Sequence, residues 1–125
     1  FSDVWKNGSS GGSEGKARSL LKKLGLENRV DHTPGELSAG ERQRTAIARA
    51  MMTNPTLILA DEPTGNLDQE NAKEVIRHLK DFRDNGGTVM MVTHGEICDD
   101  IADRTLFLKD GLLIDDQLSQ SGVNG

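Results

Sequence analysis

A short apolar run that ends in two adjacent carboxylates, at residues 57–62, constrains this 125-residue chain more than any other stretch. The run follows Asn54 and Pro55, and its length suits one buried strand rather than a helix of ordinary length. Asp61 and Glu62 then lie at the carboxyl end of that strand, the edge where open α/β sheets bind their ligands. Carboxylate oxygens are ligands that Mg²⁺ prefers. The stretch therefore predicts a site for a magnesium-bound phosphate.

The residues after the acidic pair predict a rigid turn that leads into a helix. Pro63 and Gly65 favour a tight exit from the strand, and Asp68 is placed to cap the next helix. A solvated strand end is the ordinary interpretation of an Asp-Glu pair, but these rigid surroundings favour a functional one. Residues 57–62 resemble the Walker B strand of ATP-binding cassette (ABC) proteins, and residues 65–68 are similar to the D-loop of that family.

A second motif lies upstream, in residues 37–44. Ser38 and Glu41 form the S-x-x-E pattern of a helix capping box, so one interpretation is simply a well-capped core helix. The small residues Ala39 and Gly40 also leave backbone N–H groups at the helix start open to an anion. The motif therefore also predicts a phosphate site without a lysine. The apolar stripe expected along this helix comprises Ala46, Ile47, Ala50 and Met51.

This second motif, Leu37-Ser38-Ala39-Gly40-Glu41, resembles the ABC signature, which is usually L-S-G-G-Q. Ala39 replaces a usual glycine and adds a methyl group near the implied phosphate. Glu41 replaces a usual glutamine and adds a negative charge that could oppose the nucleotide. The separation from this motif to the acidic pair is also that of the family, and the resemblance implies that all five residues contribute to ATP binding.

The chain after residue 68 predicts a βαβ unit. A helix is expected from about residue 69 to residue 84, and residues 88–93 predict a second fully buried strand. A right-handed crossover makes the two strands parallel, so the predicted fold class is α/β. His78 falls outside the inward stripe of this helix and is expected to be exposed; that stripe comprises Ala72, Val75, Ile76, Leu79 and Phe82.

His94 follows the second strand and is expected at the same sheet edge as the acidic pair. Its position resembles that of the switch histidine of ABC cassettes, which contacts the γ-phosphate. Asp110 and Gly111 then carry the sequence signal of a hairpin, expected to be antiparallel and to finish the sheet. A short packing helix is expected between His94 and this hairpin. It would contain Ile97, Cys98, Ile101 and Ala102, with Cys98 as a small buried apolar residue.

The predicted organisation has four segments: a flexible Gly/Ser-rich segment (residues 1–13), a helical and signature segment (14–55), an α/β part (56–115) and a polar tail (116–125). In the second segment, a packing helix is expected from residue 14 to residue 24, with Gly25 at its end. A polar connection follows, in which His32 is expected at the surface because no second ligand lies at metal spacing.

Residues 11–16 look like a phosphate-binding P-loop but do not fit its pattern, G-x-x-x-x-G-K-[ST]. The first glycine would be Ser10, the hydroxyl for magnesium would be Ala17, and no apolar strand precedes them. A Walker A motif is therefore absent from the sequence.

The composition argues against several partners. The formal net charge of −5 disfavours nucleic acid and anionic membranes, which need concentrated positive charge. No run reaches the apolar length of a membrane span, and no signal segment opens the chain, so a soluble, cytoplasmic protein is expected. The single cysteine fits a reducing compartment.

The resemblance implies a role for each matched site residue. Asp61 would hold Mg²⁺ through water, Glu62 would polarise the water that attacks ATP, and His94 would steady the transition state. Removal of Glu62 should nearly abolish turnover but leave nucleotide binding intact. Family cassettes work as head-to-tail pairs, so Ser38 and the rest of the signature would act on the partner's ATP, and Asp68 would link the two sites.

The implied whole is a partial P-loop NTPase (ABC cassette) fold: a parallel βαβ core, a helical signature segment and a terminal antiparallel hairpin. The sequence of residues 61–68 resembles that of the subgroup that serves lipoprotein release and macrolide export. The implied cofactors are ATP and Mg²⁺. The implied partners are a second nucleotide-binding cassette, as a homo- or heterodimer, and transmembrane permease subunits, which would hold the chain at the inner face of the membrane. Nucleic acid is not an expected partner.

Three interpretations of the chain remain. It begins at Phe1 and has complete downstream motifs, which favours the carboxyl-terminal half of a transport ATPase that is inactive alone. A naturally short, non-catalytic module could instead complete a partner's ATP site in trans. Split-cassette DNA-repair ATPases usually carry a long heptad segment before the signature, and no such segment is present.

Overall fold

The computed structural model describes residues 11–94 and 101–115 of the chain. The chain divides into two units, residues 1–94 and residues 95–125. The first unit contains α1 (Gly11–Lys23), α2 (Ala39–Met51), β1 (Leu57–Asp61), α3 (Gln69–Asp84) and β2 (Thr88–Val92). The second contains β3 (Leu106–Lys109) and β4 (Leu112–Asp115).

Helix α1 begins earlier than the sequence predicted. Residues 11–13 are helical, so the prediction of a flexible segment is wrong there, whereas residues 1–10 lie outside the described residues. Lys16 anchors this part of the helix, because its Nζ donates to the backbone oxygen of Met52 at 2.6 Å. The predicted stop at Gly25 is confirmed: its φ is +70°, and it ends the helix in a Schellman motif.

Helix α2 begins as the sequence predicted but turns a different face inward. Ser38 is its N-cap, and the capping box with Glu41 is complete. The predicted stripe is correct for Ile47 and Met51, and wrong for Ala46 and Ala50, which are exposed. Methyl groups add little apolar area, so the two large side chains set the orientation of the helix. The buried residues of α2 are Gly40, Ile47, Ala48 and Met51.

Strands β1 and β2 pair in parallel, as predicted, with Leu59 opposite Met90. The prediction that both strands are fully buried is wrong, because alternate side chains of each strand are exposed. Side chains of a strand point to opposite faces in turn, and only one face of this two-stranded sheet packs on the helices. The exposed face comprises Leu57 (47% exposed), Leu59 (71%), Met90 (59%) and Val92 (54%).

Helix α3 matches its predicted bounds because both ends carry strong stop signals. Asp68 caps the start by accepting a hydrogen bond from the backbone N–H of Asn71, and Gly86, with φ of +94°, ends the helix in a second Schellman motif. The prediction that His78 is exposed is wrong: it is 2% exposed. His78 lies three residues after Val75, so helical periodicity places it on the buried face despite its polarity.

The core of the first unit joins the three helices to the inner face of the sheet. Because one helix side and one sheet face each need cover, this arrangement is the usual layered solution for an α/β unit. Its buried members are Leu21, Leu24, Leu26, Ile47, Ala48, Met51, Ile58, Val75 and Leu79.

The carboxyl-terminal hairpin forms as predicted but does not finish the first sheet. Asp110 and Gly111 both have positive φ, as a two-residue hairpin turn requires, and β3 pairs with β4 as a separate two-stranded sheet. Among the described residues, β1 and β2 pair only with each other. Residues 95–100, which include Ile97 and Cys98 of the predicted short helix, and the tail at 116–125 lie outside the described residues; Ile101 and Ala102 are not helical. Within the described ranges, no helix has the length and apolarity of a membrane span.

The buried histidine predicts a pH-dependent stability. Burial, and then the charge of Arg77, lower the pKa of His78 below its usual 6.5. The unfolded chain therefore binds more protons between the two pKa values. We expect the contribution of neutral, buried His78 to the free energy of unfolding to be complete above about pH 6.5. It should be lost as pH falls toward the pKa of the folded state, by about 1.4 kcal/mol in total for each unit by which folding lowers that pKa.

This pH dependence can be measured by urea unfolding of the chain at a series of pH values between neutral and mildly acidic. His78→Leu should remove the corresponding slope, whereas His32→Leu, at an exposed histidine, should keep it. Equal slopes for the chain and His78→Leu would contradict the assignment.

Candidate functional site

The acidic pair lies at the carboxyl end of β1, as the sequence predicted. Asp61 is the last residue of the strand and is exposed, whereas Glu62 is half-buried. The N–H of Glu62 donates to the backbone oxygen of Val92 at 2.8 Å, which ties the acidic pair to the end of β2. Glu62 has φ of +44°, a left-handed conformation that a non-glycine residue adopts at a cost of about 1–3 kcal/mol. Such conformations cluster at functional sites.

The structure brings together the two residues expected to be catalytic. Nε2 of His94 lies 3.2 Å from Oε1 of Glu62, an ion-pair distance when the imidazole is protonated. That oxygen is buried and accepts no hydrogen bond from the described residues. The His94 side chain is 94% exposed, so it approaches Glu62 from the solvent side. A carboxylate with a spare acceptor beside an open imidazole can orient a water molecule for attack.

The turn after the acidic pair holds the backbone of Glu62 in place. Pro63 is buried, and the N–H of Gly65 donates to the backbone oxygen of Glu62 at 3.2 Å. A second turn closes between Leu67 and Thr64 at 3.2 Å. The carboxylate therefore projects from a rigid frame, which is what positioning a reactant requires.

The predicted signature residues lie at and before the start of α2. Ser38 is exposed, and its Oγ accepts from the N–H of Glu41 at 3.1 Å, which leaves the hydroxyl proton able to donate. Ala39 is half-buried and Gly40 is buried. Leu37 packs its side chain inward, and its backbone oxygen accepts from an Arg42 guanidinium at 2.7 Å. Ser38 thus offers an exposed hydroxyl at the helix start.

The negative charge at Glu41 is compensated within the chain. The backbone N–H of Ser38 and the guanidinium of Arg29, 2.6 Å away, lower the pKa of Glu41 to about 2. The carboxylate is therefore ionised and held by two partners, one at the helix start and one in the preceding turn. Sequence reasoning missed Arg29, which lies in a short 3-10 turn, Glu27–Arg29, that no motif marks.

Asp68 is exposed at the start of α3 and is bound through both oxygens. The N–H of Asn71 donates to one at 2.8 Å, and the Asn71 side chain donates to the other at 2.9 Å. These bonds, the backbone one first, lower the pKa of Asp68. The expected D-loop aspartate is therefore ionised and fixed in orientation.

The chemistry of the sheet edge fits a magnesium ion that is shared with phosphate. Asp61 offers one exposed carboxylate, and Mg²⁺ in phosphate sites commonly uses one or two carboxylates with water and phosphate oxygens. Within the described residues, no three acidic, histidine or cysteine side chains form a protein-only metal cluster. Residue 61 therefore suits a metal that arrives with nucleotide.

A polar cavity of about 390 Å³ lies elsewhere in the first unit. It is bordered by the end of α1, by Arg44 of α2 and by the first half of α3, and none of the predicted site residues lines it. The predicted site residues therefore lie outside this cavity.

The chain is similar to known proteins of one family over much of its length. A family model described as "ABC transporter" matches residues 2–65. A macrolide export ATP-binding/permease protein, MacB, of Chlorobium luteolum is 48% identical over 111 residues, covering 89% of this chain and 17% of that protein. A lipoprotein-releasing system ATP-binding protein, LolD, of Psychrobacter arcticus is 53% identical over 97 residues, covering 77% of this chain and 43% of that protein.

The fold has solved counterparts as well. The dimeric ATP-binding cassette MJ0796, in a post-hydrolysis state bound to ADP and Pi, matches with a TM-score of 0.72 and 38% identity. The match covers 90% of this chain and 52% of that chain. This chain thus spans about half, or less, of each of these three proteins.

Proposed function

This chain belongs to the ABC transporter family, and we propose that it is the carboxyl-terminal half of a nucleotide-binding cassette that hydrolyses ATP to drive transport. The observation that carries the proposal is the pairing of Glu62 with His94 at 3.2 Å, at the carboxyl edge of the β1–β2 sheet. Apart from this contact, the buried Oε1 of Glu62 accepts no hydrogen bond from the described residues, so it can accept one from a water molecule.

In this proposal, each residue of the edge has one task. Glu62 accepts a hydrogen bond from the attacking water and orients it, and His94 donates to the γ-phosphate oxygens as charge shifts onto the leaving group. Asp61 would hold Mg²⁺ through water; the ion, when bound, neutralises charge on the phosphate oxygens. Glu62 holds a left-handed backbone at this position, a conformation that clusters at functional sites.

The signature is proposed to act on a second cassette. Ser38 presents an exposed hydroxyl at the amino end of α2, where the helix dipole favours an anion. The ion pair with Arg29 reduces the repulsion that a glutamate would otherwise bring. Asp68 stands beside this helix start through Asn71, and so belongs to the same contact with the partner. Permease subunits would then hold the pair at the inner face of the membrane.

Two features support a missing amino-terminal half. Parallel sheets are normally covered on both faces, yet one face of β1–β2 is exposed in the described residues. Lys16, the lysine of the P-loop-like stretch, is bound to the Met52 backbone oxygen and to Asn54, so it is committed to packing. The groups that would grip ATP must therefore come from elsewhere, and we expect no hydrolysis by this chain alone.

A non-catalytic module is the second candidate, favoured by one observation: the signature helix is complete without any other half. Such a module would lend Ser38 to a partner's ATP site and would make no use of the Glu62–His94 pair.

A completed cassette separates the two candidates. The amino-terminal part of the P. arcticus LolD protein is fused to this chain, and ATP hydrolysis is followed by phosphate release, with intact LolD as the matched control. We expect turnover within about tenfold of that control, since most contacts of the reacting groups are retained. A fusion that binds ATP and folds but does not hydrolyse it would favour the non-catalytic module.

A further inference from the structure

The amino ends of α2 and α3 meet at a single side chain, Asn71. If Gly40 carried a Cβ atom, that atom would lie 2.2 Å from Oδ1 of Asn71 and 2.6 Å from its Cγ. Such distances are far below any ordinary contact, so the position admits only glycine while Asn71 keeps its place. Glycine at this position therefore leaves room for the hydrogen-bonded placement of the Asn71 side chain, in addition to any approach of phosphate.

The amide of Asn71 is used on both sides. Its oxygen accepts from a guanidinium nitrogen of Arg44 at 3.1 Å, and Arg44 lies one turn beyond Gly40 on α2. Its nitrogen donates to Asp68 at 2.9 Å, while its backbone N–H donates to the other oxygen of Asp68 at 2.8 Å. A primary amide can donate and accept at once, whereas a carboxylate or a hydrocarbon of similar size cannot do both.

We propose that Asn71 is a positioning residue that fixes the signature helix start to the D-loop aspartate, so that both present themselves to the second cassette as one unit. The placement of Asn71 is given by its contacts with Gly40, Arg44 and Asp68. The effect on ATP binding rests on the proposed function. Because the partner's ATP must meet Ser38 and the D-loop together, a change in their relative placement should weaken the ATP-driven closure and leave the bond-breaking groups intact.

The geometric half is tested in the chain itself by a double-mutant cycle. Gly40→Ala should raise the unfolding equilibrium constant sharply, and Asn71→Ala should remove most of that effect, because the two nearest clashing atoms are then gone. We expect a coupling of about tenfold or more in the unfolding constant. If Gly40→Ala does not fold, refolding of the double variant is the expected rescue. Additive effects, or no rescue, would overturn the inference.

The functional half is tested in the completed cassette with Asn71→Asp. This variant keeps the size of the side chain and the acceptor for Arg44, but it sets an oxygen against Asp68 in place of a donor. We expect KM for ATP to rise by about tenfold with little change in kcat at saturating ATP. Asn85→Asp, the same change at the other end of α3, is the control.

The outcomes distinguish the two proposals. A fall in kcat at unchanged KM, or an equal effect of Asn85→Asp, would overturn the positioning role. An inactive parent fusion together with a non-additive cycle would count against the proposed function and leave the Gly40–Asn71 contact supported.

Discussion

Glu62→Gln in the completed cassette is expected to reduce ATP turnover by about 10²–10⁴-fold, the range that a positioned general base contributes. The amide keeps the size of the side chain but is a poor acceptor for the proton of an attacking water. The backbone should not change, because its bonds to Val92 and Gly65 involve main-chain atoms alone. Phosphate release at saturating ATP measures the loss.

The same variant should keep its affinity for nucleotide, measured by binding of a fluorescent ATP analogue, since Glu62 is not among the groups expected to grip ATP. Glu27→Gln, an identical change at an exposed glutamate, should leave both values unchanged. A Glu62→Gln cassette that turned over ATP within about threefold of the parent would refute the assignment of Glu62 as the base.

The elements best predicted from the sequence are those whose ends carry local signals. Helix α3 has its predicted bounds because Asp68 caps one end and Gly86 permits the left-handed turn at the other. The hairpin follows from Asp110-Gly111 in the same way. The predicted ABC-cassette fold is confirmed by the similarity to MJ0796. Local capping and turn residues, together with the motif sequences, were sufficient to predict these features.

The errors share a different cause, which is that burial depends on what packs against an element. His78 is polar, so no apolar pattern marks it, yet helical geometry turns it inward beside Val75. The exposed face of β1–β2 has an apolar sequence that predicts burial, and no layer among the described residues covers it. The apolar sequence of a strand indicates that it requires cover on both faces, whereas the described residues cover only one face of this sheet.

The sequence singled out Glu62 and His94 as candidate site residues, and it carried no sign of the residues that hold the candidate site in place. Glu62 and His94 lie at adjacent strand ends, and parallel pairing brings such ends together, so their meeting follows from topology. Arg29 and Asn71 act across 12 and 27 residues, on Glu41 and Arg44 respectively, and neither belongs to a recognised motif. Contacts of this kind arise from tertiary packing and leave no periodic signal in the sequence.

Leu59→Asp is expected to have opposite effects in the chain alone and in the completed cassette. In the chain, Leu59 is 71% exposed at the centre of the uncovered sheet face, so a carboxylate there stays hydrated and reduces association through that face. In the cassette, the amino-terminal half is expected to cover the same face. An uncompensated buried charge should then destabilise the fold by about 3–5 kcal/mol and abolish ATP hydrolysis.

Light scattering measures the association of the chain. Thermal unfolding and phosphate release measure the stability and the activity of the cassette. Ile58→Asp, one residue earlier and 6% exposed, should destabilise both proteins, because its face is already buried in the chain. Leu59→Met should be nearly neutral in both, since it conserves volume and apolarity. If Leu59→Asp left the cassette stable and active, the exposed face would have to remain open to solvent in the assembled protein. The missing-half proposal would then lose its main physical support, because the sheet would need no second layer.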